Sequence, residues 1–139
     1  MNTKLYKQVH TLAGELMKAA SKEDRESFTS LFDQLQAICD ENDGTDKDHP
    51  VQWETLADFT EDLEEAVALY SKALAKAVII NSKDFMSSIA FSMATLQVEL
   101  GLKEAAIESL KSAVVSANKI EDKELKAEIN ELLEELEAS

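Results

Sequence analysis

The strongest constraint on the fold is an amphipathic stretch from residue 90 to residue 116 that is divided by one glycine. The part before Gly101 has a broad apolar face, and in the part after it apolar residues recur at the spacing of one helix face, at Ala106, Ile107, Leu110, Ala113 and Val114. Gly101 can adopt the left-handed backbone conformation that ends a helix, after which Lys103 and Glu104 begin the next one. Neither helix can bury its apolar face alone, so the stretch predicts a helix pair that packs against further helices.

An internal repeat extends this pattern along the chain. The aligned positions are Ala66, Tyr70 and Ala73 in one unit and Ala106, Leu110 and Ala113 in the next, at a shift of 40 residues. A more divergent first unit aligns Ser27, Leu31 and Gln34 with the same positions at a shift of 39. A period of this size in a helical chain predicts stacked helix pairs.

Capping residues predict where the helices begin. Thr3 or Asn2 can cap a first helix, and Ser21, followed three residues later by Asp24, has the capping-box pattern of a second. These two helices and the apolar positions they carry predict a first helix pair that ends near residue 40.

The later helices have similar signals. Pro50 suits the first turn of a short third helix, with Asp48 as its capping residue. Thr60 is predicted to cap a long fourth helix, Ser82 a fifth, and Asp122 the last one.

The acidic segment from residue 40 to residue 49 interrupts the apolar pattern and has a central glycine. If Gly44 is aligned with the glycine of a calcium-binding loop, Cys39 falls at the first ligand position and Pro50 at the position of the bidentate glutamate. Two essential oxygen ligands are then missing. The segment therefore predicts a flexible, charged loop in preference to a metal site.

The charge of the chain limits the class of partner. It has 28 acidic and 14 basic residues, a formal net charge of -14, and Arg25 is its only arginine. Without a basic stripe we expect no binding to nucleic acid or to an anionic membrane, whereas a basic protein or peptide would be attracted. Acidity also keeps a small protein soluble, and this explains most of the charge better than a basic partner does.

Location is predicted from two further features. Residues 1 to 20 lack the continuous apolar core of a signal peptide, and no run approaches the roughly 20 apolar residues of a membrane-spanning helix. Cys39 is the only cysteine, so it cannot form an internal disulfide and is expected to be a small buried apolar residue near the end of a helix. We therefore expect a cytoplasmic protein.

No combination of residues predicts an enzyme. His10 and His49 are the only histidines, and neither has a second ligand at a metal-binding spacing. Three glycines are too few and too scattered for a phosphate-binding loop, and carboxylates on exposed helix faces indicate solvation. We expect no catalytic residues, no metal and no cofactor.

The segment MATLQVELGLKEAAIESLKSA resembles the tetratricopeptide repeat (TPR) family. Met93 and Ala94 supply its large-small pair, Gly101 supplies the turn, and the repeat positions given above supply the A-x-x-x-F/Y-x-x-A signature of the second helix. The segment EDLEEAVALYSKA matches the same second-helix signature.

The resemblance implies an all-α fold of about three antiparallel helix pairs, stacked as a short TPR-like superhelix with a C-terminal capping helix. A single domain is expected over residues 1–139. Its parts are a degenerate first pair at 1–41, an acidic loop at 42–49, two TPR-like units at 50–120 and a capping helix at 121–139.

The resemblance also implies a protein-binding module. TPR-like stacks usually bind an extended or helical peptide in a concave groove lined by the first helix of each pair. Carried over to this chain, the peptide-binding residues are Gln52, Thr55 and Phe59 in the second unit and Ser88, Phe91, Ser92, Thr95, Val98 and Glu99 in the third. These residues lack the Lys and Asn cluster with which co-chaperone members of the family bind a terminal carboxylate.

Three alternatives stay open. The chain resembles the small acidic class II chaperones of type III secretion, which shield segments of translocator proteins. It could instead be a structural subunit that forms a homodimer through the leucine stripe of its C-terminal helix. Finally, that helix could itself fill the groove and pack on Phe91 and Val98.

Overall fold

The computed structural model describes residues 3–139, and in this range the chain forms seven α-helices and no strand. The prediction of an all-α fold is confirmed. The helices are α1 Thr3–Ser21, α2 Arg25–Asn42, α3 Pro50–Asp58, α4 Leu63–Ile79, α5 Lys83–Glu99, α6 Lys103–Ala117 and α7 Lys123–Ala138. The predicted cap Asn2 lies outside the described residues.

The turn between α1 and α2 differs from the prediction. Helix α1 continues through Ser21, which therefore caps nothing, and Glu23 takes the left-handed conformation with φ 56°. The cap of α2 is Asp24, whose carboxylate accepts a hydrogen bond from the Ser27 backbone N–H at 3.1 Å. The capping residue is fixed by where the preceding helix ends, and this chain has several competing polar residues at that point.

Two further caps are also different residues from those predicted. His49 caps α3, because its Nδ1 accepts a hydrogen bond from the Val51 backbone N–H at 3.1 Å, while Asp48 makes other contacts. Asp62 caps α4, and the Thr60 hydroxyl instead donates back to a carbonyl of α3.

Thr3, the alternative predicted cap of α1, is instead the first residue of that helix. Three other boundary predictions are confirmed. Ser82 caps α5 through the Phe85 backbone N–H, and Asp122 caps α7 through that of Leu125. Gly101 has φ 76° and separates α5 from α6, as its freedom to adopt the left-handed conformation predicts.

The helices pack as consecutive pairs. Helix α1 packs on α2, α3 on α4, and α5 on α6, with the most extensive contact between α5 and α6, while α7 covers α6 at the end of the stack. Helix α4 contacts α5 as closely as it contacts α3, so the second and third pairs are firmly joined. Helix α1 also contacts α3, and α3 contacts α5, so the first helices of the three pairs lie along one side of the stack.

The core has two parts. One joins α1 through α5, and the other joins α5, α6 and α7. Alanines at the helix crossings are fully buried, including Ala73, Ala77, Ala106 and Ala113, and their small side chains allow close helix approach. Tyr70 and Leu110 are buried beside them at the aligned repeat positions.

Cys39 is buried near the end of α2, as predicted. Its thiol donates to the carbonyl of Gln52 at 3.3 Å, and burial raises the pKa of this thiol to about 12. The side chain is therefore a packed thiol and no nucleophile at neutral pH.

The acidic loop between α2 and α3 is held by lysines of α4, in contrast to the expected flexible loop. Asp43 accepts hydrogen bonds from Lys72 at 2.8 Å and Lys76 at 2.7 Å, and Lys76 also pairs with Asp48 at 2.6 Å. Trp53 donates its Nε1–H to Asp48 at 2.8 Å, and the Lys72 ammonium lies 4.1 Å from the centre of the Trp53 ring. Across residues 3–139 no group of three or more His, Cys, Asp or Glu side chains is arranged to hold a metal ion.

None of the helices formed by residues 3–139 combines the length and the apolar character needed to cross a membrane.

Candidate functional site

The predicted groove residues fall into four groups, of which one comes together around two carboxylates. Ser88 and Ser92 of α5 face α3 and α4, where they meet Glu54, Asp58 and Tyr70. We call these five residues the Glu54–Asp58 cluster. It lies where α3, α4 and α5 meet.

Three further predicted residues lie on α3 and α5, the helices that carry Glu54 and Ser88. Thr55 and Thr95 are half-buried, and each donates its hydroxyl to a backbone carbonyl of its own helix. Glu99 is exposed at the C-terminal end of α5. All three can be reached from solvent at least in part.

Gln52 and Phe59 point elsewhere. Gln52 is buried, and its amide donates to the Lys47 carbonyl of the acidic loop at 2.9 Å. Phe59 packs edge-to-face on Phe28 of α2, with ring centres 6.4 Å apart. Neither side chain lines the surface shared by α3 and α5, because Gln52 is buried next to Trp53 and Phe59 packs against α2.

Phe91 and Val98 have different environments. Phe91 is half-buried and packs against the part of the core that α5, α6 and α7 share, beside the leucines of α7. Val98 is 37% exposed near the end of α5. The leucine stripe of α7 thus packs inward on α6, and Ile129 at its centre is fully buried.

Glu54 is the central group of the cluster. Its Oε2 accepts a hydrogen bond from the Ser88 hydroxyl at 3.1 Å. Burial and the neighbouring Asp58 carboxylate raise the pKa of Glu54 to about 7, although the Ser88 hydrogen bond acts in the opposite direction. Near neutral pH this side chain is therefore divided between its neutral and charged forms.

Asp58 lies one helical turn after Glu54 and contacts α4. The Tyr70 hydroxyl donates to its Oδ1 at 2.5 Å, and Ser92 also hydrogen-bonds to Tyr70. Partial removal from water raises the pKa of Asp58, which the Tyr70 hydrogen bond only partly offsets. Burial and the Asp58 carboxylate raise the pKa of Tyr70 as well, so Tyr70 stays a hydrogen-bond donor.

The cluster lacks a counter-ion. Within residues 3–139 every ion pair lies elsewhere, on Arg25, Lys72 or Lys76, and none involves Glu54 or Asp58. Glu54 is half-buried beside the exposed Asp58, and two neighbouring carboxylates without a cation repel each other and favour the approach of a positive group. The arrangement can bind a cation or hold a proton.

Replacing Glu54 with Gln is expected to change how stability depends on pH. A carboxyl whose pKa is raised by folding stabilises the protein fully below its unfolded value of about 4.5, and this contribution is lost as the pH rises through about 7. We expect Glu54→Gln and wild type to be similarly stable at pH 5, and the variant to be more stable at pH 8 by on the order of 2 kcal/mol. Urea unfolding across this range measures the difference.

Comparing the variant with wild type separates the effect of Glu54 from that of His49, whose ordinary pKa of 6.5 also lies between pH 5 and pH 8. Burial lowers the pKa of His49, so its contribution to stability rises with pH, but it is present in both proteins and cancels. Glu104→Gln on the exposed side of α6 is the matched control and should leave the pH dependence unchanged. A difference between Glu54→Gln and wild type that stays constant from pH 5 to pH 8 would contradict the assignment.

The sequence patterns do not indicate Glu54, Asp58 and Tyr70 as site residues. The repeat predicts that Tyr70 is a core residue, and the spacing of the carboxylates predicts that they lie on a solvated helix face. One signal was available: two acids four residues apart on a nine-residue helix repel each other and weaken that helix. Ser88 and Ser92 were predicted as groove residues, but their contacts with Glu54 and Tyr70 depend on how α5 packs against α3 and α4.

The site is therefore a carboxylate and hydroxyl cluster on packed helices, and its chemistry suggests recognition of a cation. Helix packing agrees with the predicted fold class, while the TPR resemblance itself stays a prediction from the residues quoted above. Comparison with protein-family models, with curated proteins and with solved structures finds no match to this chain.

Proposed function

We propose that this chain is a non-catalytic protein-binding module that receives a segment of a basic partner across α3 and α5. A Lys or Arg side chain of that segment binds between Glu54 and Asp58. The observation that carries the proposal is the presence of two carboxyl groups with raised pKa values and no ion-pair partner in the described part of the chain. The free, buried thiol of Cys39 favours a cytoplasmic location.

A bound cation would offset the uncompensated negative charge of the cluster. Its charge removes the repulsion between the two carboxylates and lowers the pKa of both, so Glu54 becomes fully ionised on binding. Charge-assisted hydrogen bonds in a partly dehydrated site are stronger than those on an open surface. The half-buried Thr55 and Thr95 on α3 and α5 offer hydroxyl oxygens to the backbone of an extended peptide.

The proposal predicts which peptides the protein selects. Selection from a displayed random peptide library should enrich Lys or Arg at one fixed position. For a synthetic peptide with an enriched sequence, we expect Glu54→Gln with Asp58→Asn to weaken binding about 10-fold to 100-fold, since two charge-assisted hydrogen bonds are lost. Fluorescence polarisation with the labelled peptide measures the affinity, and replacing the basic residue of the peptide with Gln should have the same effect.

The matched control carries the same change of charge on another surface. Glu104→Gln with Glu108→Gln removes two exposed carboxylates, also four residues apart, from α6. This variant should bind the peptide within about twofold of wild type, because surface charges that contact no ligand contribute little. Selected peptides without a basic residue, or equal loss in both variants, would refute the proposed role of the cluster.

A further inference from the structure

The first helix pair leaves an open groove on its outer face. A cavity of about 640 Å³ lies between α1 and α2, with Leu12 and Ile38 on its floor and Lys4, Lys7 and Glu41 among its lining residues. A second groove of about 550 Å³ continues it towards the α1–α2 turn. Glu15 lines both, so the two grooves form one channel along the pair.

The two sides of this channel carry opposite charge. Helix α1 has three lysines and one acid, Glu15, for a net charge of +2. On α2 the charged lining residues are the acids Glu26 and Glu41, while Arg25 is paired with Glu61 at 2.6 Å outside the channel. In the region that the structure describes, no ion pair bridges the channel from the α1 lysines to the α2 acids.

The first pair lacks the cover that the last pair has. At the other end of the stack, α7 packs on α6 and buries Ile129 completely. On the inner side of the first pair, α3 contacts both α1 and α2, but among the described residues no further helix packs on the outer side. The channel is therefore the uncovered end of the stack.

We propose that two copies of this chain associate through the outer face of α1 and α2 about a two-fold axis. The lysine side of each copy then lies along the acidic side of the other. A face with one basic and one acidic ridge is complementary to itself under such an axis, which is the requirement for an isologous dimer. This inference is independent of the peptide site proposed on α3 and α5.

The size of the face indicates a weak, salt-dependent dimer. It is about 28 Å long and about 20 Å wide, from the length of α1 and the width of two packed helices. This is near the small end of specific protein interfaces, and exposed charges are screened at high ionic strength. The net charge of -14 adds a general repulsion, so the dimer should form at high protein concentration.

Reciprocal charge reversal tests the pairing. One variant carries Lys4→Glu and Lys7→Glu and makes both sides of the channel acidic. The other carries Gln34→Lys and Glu41→Lys and makes both sides of the 640 Å³ groove basic. Sedimentation velocity follows the dimer fraction of wild type, of each variant alone, of an equimolar mixture and of the protein with all four changes, with circular dichroism verifying the helix content of each.

The expected result is a wild-type dimer in about the 10–100 µM range that weakens with added salt. Each variant alone should dimerise at least about tenfold more weakly, while the mixture should form a heterodimer and the fourfold variant should again form a homodimer. Lys111→Glu on α6 should dimerise like wild type. A wild-type monomer throughout this range, or a folded mixture that stays monomeric, would overturn the proposal.

Discussion

Replacing Leu110 with Ala is expected to lower the free energy of unfolding by about 2–5 kcal/mol. Leu110 is fully buried on α6, in the part of the core that α5, α6 and α7 share. Its neighbours in that core are largely alanines, including Ala90, Ala94, Ala106 and Ala113, which have no side-chain flexibility with which to fill the space. The truncation therefore leaves a cavity that costs contacts as well as buried apolar area.

Urea unfolding followed by circular dichroism measures this loss. Val115→Ala is the matched control on the same helix, since Val115 is 69% exposed and should change stability by less than about 0.5 kcal/mol. If Leu110→Ala cost no more than Val115→Ala, the packing of α6 between α5 and α7 would be incorrect.

Replacing Lys76 with Met is expected to lower the free energy of unfolding by about 1–3 kcal/mol. The Lys76 ammonium pairs with Asp43 and Asp48, and the Asp48 side chain is only 8% exposed. Met keeps most of the apolar stem but leaves Asp48 without its cation, so a partly buried charge loses its main compensation. The loop between α2 and α3 would lose a principal connection to α4.

The acid dependence of this loss identifies its cause. Burial alone would raise the pKa of Asp48, but hydrogen bonds from Lys76, the Gly44 backbone and Trp53 hold it below the ordinary value of 3.8. A carboxyl whose pKa is lowered by folding stabilises the protein above about 3.8, and this contribution is lost as the pH falls through the folded value. Wild type and Lys76→Met should therefore differ at pH 7 and converge as the pH falls below the lowered pKa of Asp48.

Lys111→Met on the exposed side of α6 is the control for the loss of a lysine charge. In a protein with a net charge of -14, removing any lysine increases general repulsion, and this control measures that effect alone. An equal loss of stability in both variants would show that the ion pairs with Asp43 and Asp48 contribute nothing specific.

Part of the candidate site follows from the sequence. The repeat and the resemblance drawn from it selected Ser88 and Ser92, and both lie at the junction of α3, α4 and α5. They did not select Glu54 or Asp58, because a carboxylate on a short amphipathic helix has the same periodicity whether it faces water or another helix. Only the packing of α3 against α4 and α5 decides that Glu54 is half-buried against Ser88 and that Asp58 meets Tyr70.

The helix caps also divide into those that the sequence predicts and those that depend on the surrounding structure. Ser82, Gly101 and Asp122 could be assigned because a single suitable residue follows a clear end of the apolar pattern. At Ser21 and Thr60 the prediction was wrong because several capping residues compete within a few positions. There the end of the preceding helix selects Asp24 and Asp62 in their place.

The sequence by itself determined the helical fold class, the buried alanines at the helix crossings and the turn at Gly101, since these depend on periodicity and local backbone preference. Tertiary structure alone decided which charges meet. It placed Lys76 against Asp43 and Asp48, Ser88 against Glu54, and the lysines of α1 across a channel from the acids of α2. The physical reason is that electrostatic interactions depend on distances between residues far apart in the chain, which local patterns do not specify.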